Sequence, residues 1–359
     1  MFDDLSRAFD RFREKLWVRP ALVGVLSVGG ALLAHTADGT GLGDVLPAIH
    51  IDALESLLTV MASSMLVIAT FAVASMVSAY SSASNVATPR SFTLVLADDR
   101  SQNALSTFIG AFIFSIVALP AVKNGYFGRA GIFVLFALTA VIFALVVLTF
   151  VRWMDRIARL GRLGSTVDMV EAAARSALLR RRRHPTLKGV PARAVPAGAR
   201  ALYASKVGYV RHVDIGALQA FAKEHDLHIV LAALPGTFAS PGRALAHVRS
   251  QPNAVPGEKC RSCDDNAEPN WEAAMRAFEI GTDRRFDDDP RFGLVVLSEI
   301  ASRALSPAVN DPGTAIDVIG TLVRLFTQWA EALPEDERKP PEYDRVEVPA
   351  LDAHDLFDD

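Results

Sequence analysis

Three stretches of the chain are continuously apolar, with neither the two-residue alternation of a half-buried strand nor the polar face of a surface helix. Leu57 to Ala79, Ala104 to Leu119 and Ala130 to Val151 contain no Asp, Glu, Lys or Arg. Crossing about 30 Å of hydrocarbon takes roughly 20 apolar residues in a helix. Buried helices of water-soluble proteins are rarely so long and so uncharged, so the pattern predicts membrane helices. A fourth stretch, Trp17 to His35, is glycine-rich ("LVGVLSVGGALLAH") and of marginal length. Counted with the others, it gives four transmembrane helices.

Beyond Val151 the periodicity changes. "TVDMVEAAARSALL", Thr166 to Leu179, has helical spacing and continues a helix that leaves the membrane near Arg152. The Pro- and Gly-bearing "HPTLKGVPARAVPAGAR" reads as a linker. Val207 to Val213 then reads as a strand, Ile215 to Lys223 as a short helix capped by Asp214, and His228 to Ala233 as another strand. "LPGTFASPGRALAHV" has the two-turn rhythm of a small β-sandwich unit. The predicted fold class is membrane α-helical with four transmembrane helices, followed by a cytoplasmic α+β domain. In segments it divides into 1–16 (cytoplasmic amino segment), 17–152 (membrane domain), 153–200 (helix and linker), 201–250 (small α/β or β-sandwich-like unit), 251–270 (polar loop) and 271–359 (helical unit).

Composition agrees with this division. The chain has 359 residues, 51% of them hydrophobic, and a mean hydropathy of +0.25. A net charge of −3 is too small to argue for nucleic acid or an acidic substrate. Basic residues are unevenly placed. Arg7, Arg11, Arg13, Lys15 and Arg19 lie in the amino segment, and Arg152, Arg156, Arg159, Arg162 and the run Arg180 to Arg183 follow Val151. The loop from Thr36 to Ser56 has no Lys or Arg and carries Asp38, Asp44, Asp52 and Glu55. The positive-inside rule then puts both termini in the cytoplasm of a bacterial inner membrane, although Lys123 and Arg129 run against it. Arg180 to Arg183 read as a block attracted to anionic lipid.

"SSASNVATPRSFTLVLADDRSQNALSTFIGAFIFSIVAL", "GYVRHVDIGALQAFAKEHDL" and "EIASRALSPAVNDPGTAIDVI" together resemble the bacterial predicted-membrane-protein family of domain of unknown function 2254. The likeness runs from about Leu57 to the carboxyl end and is sharpest over Leu305 to Ala315; around Tyr80 to Ala87 the chain is more Ser-rich than the family pattern. The resemblance implies an integral membrane protein with a cytoplasmic carboxyl half, and no particular activity.

Candidate functional residues fall in two groups. Leu57 to Ala79 carries Ser63, Ser64, Thr70, Ser75 and Ser78. Hydroxyls at such positions serve close helix packing, or line water when several copies surround a pore. No Asp, Glu, Lys or Arg lies inside Leu57 to Ala79, Ala104 to Leu119 or Ala130 to Val151, which argues against a proton-coupled carrier. The second group is a pair of Asp-Pro corners. Asp289-Pro290 follows Arg284 and Arg285, and Asp311-Pro312 follows Ser306 and Asn310. Each Asp is placed to cap a helix whose first residue is Pro. Helix starts beside arginines also suit an anion, and the acids of Asp287 to Asp289 a divalent cation. The helix after Asp311 is expected to bury Ala315, Ile319, Leu322 and Phe326.

Remaining signals are thinner. Cys260 and Cys263 make half a zinc site, and His225 and His228 lack a third ligand at a useful spacing. A metal is therefore left open. No nucleophile–base pair, glycine-rich phosphate loop or HExxH marks an enzyme, and no cofactor is implied. The expected partners are the lipid bilayer and further copies of the chain, without nucleic acid. An ion or small ligand is unspecified. The chain is read as an oligomeric channel or transport-related assembly with a cytoplasmic sensing or gating domain, or as a membrane-anchored scaffold or sensor without a pore.

Overall fold

The computed structural model describes residues 18–40, 46–86, 88–91, 94, 99–159, 163–193, 198–250, 269–334 and 337–357. Cys260, Cys263, Asp44 and the basic residues before Trp17 lie outside the described residues. The chain forms two compact units, 1–166 and 167–359.

The first unit is helical: α1 (Val18–Thr36), a 3-10 turn (Ala37–Thr40), α2 (Ile51–Val86), α3 (Asp99–Lys123) and α4 (Arg129–Arg159). Within these, Ile51–Ser81, Ser101–Lys123 and Arg129–Ile157 are long and apolar enough to cross a membrane. The apolar part of α1, Pro20–Thr36, is shorter. Three of the four expected spans thus have the required length and composition.

Helix α3 is the centre of this unit, packed along α1 and α2 and against α4. Toward one end Leu54, Leu58, Phe114, Ala118 and Leu135 form the core; toward the other Met61, Met65, Phe108, Val146 and Trp153 do. Phe108 meets the Trp153 ring edge-on at 6.2 Å. Apolar packing of this kind, with no hydrophobic driving force in lipid, depends on close approach. Between α1 and α3 that approach rests on Gly24 and Gly110. A Cβ at Gly24 would lie 2.7 Å from Ile113, and one at Gly110 would overlap Val23.

A second tie closes the end of the bundle. Asp38, just past α1, accepts hydrogen bonds from the amides of Gly128 (2.8 Å) and Gly131 (2.7 Å) at the start of α4. A carboxylate at a helix N-terminus satisfies donors that have no intrahelical partner. His35 stacks on Tyr126 at 4.5 Å beside it. The end of α1 and the beginning of α4 therefore share one side of the unit.

In the second unit, α5 (Leu163–Arg183, in this unit from Val167) leads into β1 (Gly189–Pro191), β2 (Arg200–Tyr203), β3 (Gly208–Val213), α6 (Ile215–Glu224) and β4 (Leu227–Leu231). There follow β5 (Phe238–Ala239), β6 (Ala244–Ser250), α7 (Trp271–Met275), β7 (Phe278–Gly281), α8 (Phe292–Ala304), α9 (Pro312–Ala330) and β8 (Tyr343–Val348). One sheet has the order β1-β8-β4-β6-β2; β8 runs parallel to β1 and β4, and the other pairs are antiparallel. A smaller antiparallel sheet has the order β5-β3-β7. Residues 271–359 thus contribute strands β7 and β8 as well as helices. Leu218, Ile229, Leu245, Ala246 and Val346, all fully buried, lie in the core between α6 and the sheets.

Local signals at α6 hold in detail. The Asp214 carboxylate accepts from the Ala217 amide at 2.9 Å, and the helix follows at Ile215. At α9 the buried face differs from the expected one. Ala315, Val318, Thr321 and Leu325 are buried, while Ile319 is 58% exposed. This helix is apolar on two faces, and periodicity alone could not choose between stripes one residue apart. Phe326 stacks on Phe357 at 4.5 Å instead of entering the core.

Gly110→Leu should push α1 off α3. The expected cost is about 1–3 kcal/mol, the range for overpacking a tight contact, read as a lowered unfolding temperature of the detergent-solubilised protein. A Gly29→Leu control, where a Cβ meets nothing within 4 Å, should leave that temperature nearly unchanged.

Candidate functional site

The two Asp-Pro corners lie at opposite ends of α8, which has 13 residues and is therefore about 20 Å long at 1.5 Å per residue. They do not converge. At the first corner the helix starts at Phe292, and Arg291, in the capping position, makes no side-chain cap bond. Asp289 is no simple cap. Its carboxylate is 2% exposed, takes the Arg284 Nε at 2.6 Å and accepts from the Arg291 amide at 3.1 Å. Burial pushes this carboxyl up, against the pull of Arg284. Gly236, with φ of +92°, lets the turn between β4 and β5 lie directly against it; any Cβ there would overlap the carboxylate. Arg285 reaches only Glu279, at 3.6 Å and half in solvent, a contact worth little.

The second corner is closed on itself. The Ser306 hydroxyl donates to the Arg303 carbonyl at 2.7 Å, and the Asp311 amide to the Ala304 carbonyl at 2.8 Å. Asn310 takes the left-handed φ of +47° that Asn tolerates. The Asp311 carboxylate accepts from the Thr314 hydroxyl (2.6 Å) and amide (3.1 Å), and these bonds hold its carboxyl below the ordinary range. Pro312 occupies the first turn of α9, as expected for a cap. Among the described residues, no three His, Cys, Asp or Glu side chains are grouped to hold a metal. His225 lies edge-on to Phe221 at 4.6 Å, apart from any such group.

On α2 the hydroxyls sort by face. Ser63, Thr70 and Ser78 are exposed, within about 80° of one another at roughly 100° per residue. Ser64 and Ser75 flank them, half-buried, and Met61, Met65, Ala72 and Met76 form the opposite, buried face. Ser63, Ser64 and Thr70 donate to their own helix at 2.9, 2.6 and 2.8 Å, from Oγ or Oγ1 to the carbonyl four residues back. Among the described residues of α3 and α4, the buried hydroxyls are different ones, Ser101, Ser106 and Ser115 on α3 and Thr139 on α4.

A further cluster forms where α5 ends. Each arginine of the run engages a different part of the second unit. Arg180 donates to the Asp287 carbonyl, Arg181 to that of Pro349 (3.2 Å), Arg182 to that of Glu331, and Arg183 to the Glu337 carboxylate (3.4 Å). The run read as a lipid anchor is thus turned onto the protein. Beside it is a cavity of about 290 Å³, lined by Arg180, Arg181 and His184 on one side and by the β3–α6 junction, Asp214 to Gly216, on the other. Burial pushes Arg181 down to about 10. Burial first, and then Lys188 and Lys339, hold His184 below its ordinary value. At the rim His212 bonds Asp288 at 2.7 Å, and that bond raises the imidazole. A faint sequence signal existed, since Ala177, Arg180, Arg181 and His184 share one helix face. The partner surface lies some thirty residues further on at its nearest, and no local pattern announces it.

Membrane-length helices joined to a soluble α/β unit, with a cavity lined by both basic and acidic side chains, define a membrane protein with an appended soluble region. The chain belongs to the predicted membrane protein family of domain of unknown function 2254, whose model matches residues 13–359. It is 33% identical over 147 residues to an uncharacterized protein of Mycobacterium tuberculosis and to one of Mycobacterium bovis. That match covers 40% of this chain and 26% of each relative. No solved structure matches.

Asp289→Ala should remove the buried carboxylate that Arg284 and the Arg291 amide share and cost about 3–5 kcal/mol, the range for breaking a buried pair, measured by chemical unfolding. The His212–Asp288 bond carries a pH dependence. Because the folded imidazole titrates above 6.5, its contribution is fully present below that pH and is lost as pH rises through the raised value. Asp288→Asn should flatten the unfolding temperature over that window. Asp311→Asn should leave it unchanged, and Asp311→Ala should lower it whether or not divalent cations are present.

Proposed function

We propose that the protein is a self-associating membrane assembly related to transport, with a cytoplasmic unit that senses or gates. The observation that carries this reading is the exposed hydroxyl face of α2, turned away from its own bundle along much of the helix. Threonine and serine at 63, 70 and 78, with Ala74 among them, let a second helix approach closely or present hydroxyls to water shared between copies. Ser64 and Ser75 flank the same surface. In this reading α1 is the fourth crossing of a bacterial inner membrane and both termini are cytoplasmic. The Asp38 tie supports it, because antiparallel crossings put the end of α1 and the start of α4 on one side. The acidic loop that holds Asp38 is then outside.

A membrane-anchored sensor without a pore is the second reading. It is favoured by the absence of any Asp, Glu, Lys or Arg between Leu57 and Ala79, and by hydroxyls that already bond their own helix.

Thr70→Cys, with Cys260 and Cys263 replaced by Ser, should cross-link between copies in native membranes, whereas a cysteine at the buried Ala72 should not. Ion flux through proteoliposomes should fall in Thr70→Trp with assembly intact. Cross-linking without flux in the parent protein would select the anchored sensor. A reporter inserted near Asp44 should score periplasmic and one after Arg183 cytoplasmic; the reverse pattern would overturn the orientation.

A further inference from the structure

Helix α9 turns apolar side chains to solvent as well as to the core. Its buried face is Ala315, Val318, Thr321 and Leu325. On the outer side Ile316, Ile319 and Val323 are each more than half exposed. At roughly 100° per residue, Gly313, Ile316, Gly320, Val323 and Thr327 fall within about 80° of one another. They form a stripe about 20 Å long at 1.5 Å per residue. Single exposed apolar residues are ordinary, whereas a continuous apolar stripe marks a surface that something covers. Gly320 lies at its midpoint. A Cβ there would meet only the Arg324 Nη1, at 3.8 Å, so no close neighbour in the chain calls for glycine, the poorest helix former after proline. Glycine at that point lets another backbone approach closely.

The two margins of the stripe differ. Asp317 and Arg324 flank it on one side, seven residues apart and on either side of Gly320, and Ile319 flanks it on the other. Glu171 takes the Arg324 Nε and Nη2, and Nη1 is the atom that stands beside Gly320. A two-fold axis can pair this face with itself in two ways. Parallel pairing sets the charged margin of each copy against the Ile319 margin of the other. Antiparallel pairing about Gly320 and Thr321 keeps like margins together. Asp317 of each copy then stands across from Arg324 of the other, and the two Ile319 side chains meet. The face is self-complementary in charge and shape in that arrangement alone.

A lipid surface fits it poorly. Helices that lie on a bilayer are rich in Lys and Arg on the polar face. The sole cation of α9 is Arg324, already held by Glu171, and Glu331, Glu335, Asp336 and Glu337 follow the helix in sequence. One helix pair buries less than a standard interface. Both copies are confined by their membrane helices, however, and confinement raises the effective concentration enough for a small contact to count.

We propose that the exposed face of α9 is an interface between two copies of this chain, packed antiparallel with Asp317 against Arg324 of the second copy. The contact belongs to the soluble unit and needs neither a pore nor the α2 contact.

The test is disulfide cross-linking of the full-length protein in native membranes, with Cys260 and Cys263 replaced by Ser and new cysteines on α9. Ile319→Cys should cross-link with itself. Gly313→Cys and Thr327→Cys lie at opposite ends of the stripe, so each alone should give no dimer, and the two co-expressed should. Asp317→Lys, added to either background, should lower the yield about fivefold, the scale of losing two exposed ion pairs. Should Ile319→Cys fail to accumulate, the co-expressed pair decides. No dimer at any of these positions overturns the proposal. So do self-cross-linking at all three positions, which is the parallel arrangement, and a yield unmoved by Asp317→Lys. A product with a different protein, or labelling of Ile316→Cys by a lipid-phase maleimide, gives the face another occupant and overturns it as well. Cross-linking through α9 with none through Thr70→Cys, or the reverse, tells the failure of one contact from the failure of the other.

Discussion

The second unit is held together by guanidinium groups closing backbone acceptors. At the end of α5 the four arginines, consecutive in sequence, fan out to four segments: Asp287 before α8, Pro349 after β8, Glu331 after α9, and Glu337 on the way to β8. Three of the four acceptors are carbonyls in segments without regular secondary structure, groups that would otherwise need water or a turn to satisfy them. Lysine could not replace arginine here without losing the forked geometry that lets one side chain reach a remote carbonyl while its stem packs. Farther back on α5, Glu171 adds an anionic counterpart, taking Arg324 of α9 at 2.6 and 3.1 Å and Arg175 at 2.6 Å. One helix thereby ties together four segments of the unit that are separate in sequence.

The membrane unit is organised on a different principle. Its contacts are nearly free of charge, and their specificity comes from shape: Gly24 and Gly110 where α1 crosses α3, and aromatic edges around Trp153 where α4 meets α2 and α3. Asp38, on the amides of α4, is at an end. A carboxylate there is placed where backbone donors are unsatisfied by construction, so it ties two helices without a charged partner inside the apolar region.

What the sequence disclosed depended on how local the cause was. Asp214 and Asp311 were legible as caps because the bonds they make lie within three residues. Asp289 has the same Asp-Pro setting and a different role, since its burial is imposed by Gly236, far away in sequence. Ile319 was expected inside and lies outside, because α9 is apolar on two faces and tertiary contacts decide which is covered. The arginines of α5 read as a lipid-facing block for the same reason: their acceptors are main-chain carbonyls more than a hundred residues on, and carbonyls leave no trace in a sequence. Length and composition identified the spans, yet left α1 short of the other three.

Strand β8 follows the other described strands along the chain and occupies an interior place, between β1 and β4. Until residues 343–348 leave the ribosome, β1 and β4 each present an open edge of unpaired amides and carbonyls, and β4 is among the most buried strands of the finished sheet. The membrane helices, coded first, are free to enter the bilayer during this interval, while the sheet has to wait for its middle strand. Open strand edges are templates for pairing with other chains. The architecture thus leaves two strand edges exposed to wrong pairing until β8 is made, and makes timely arrival of one six-residue strand the step that closes the sheet.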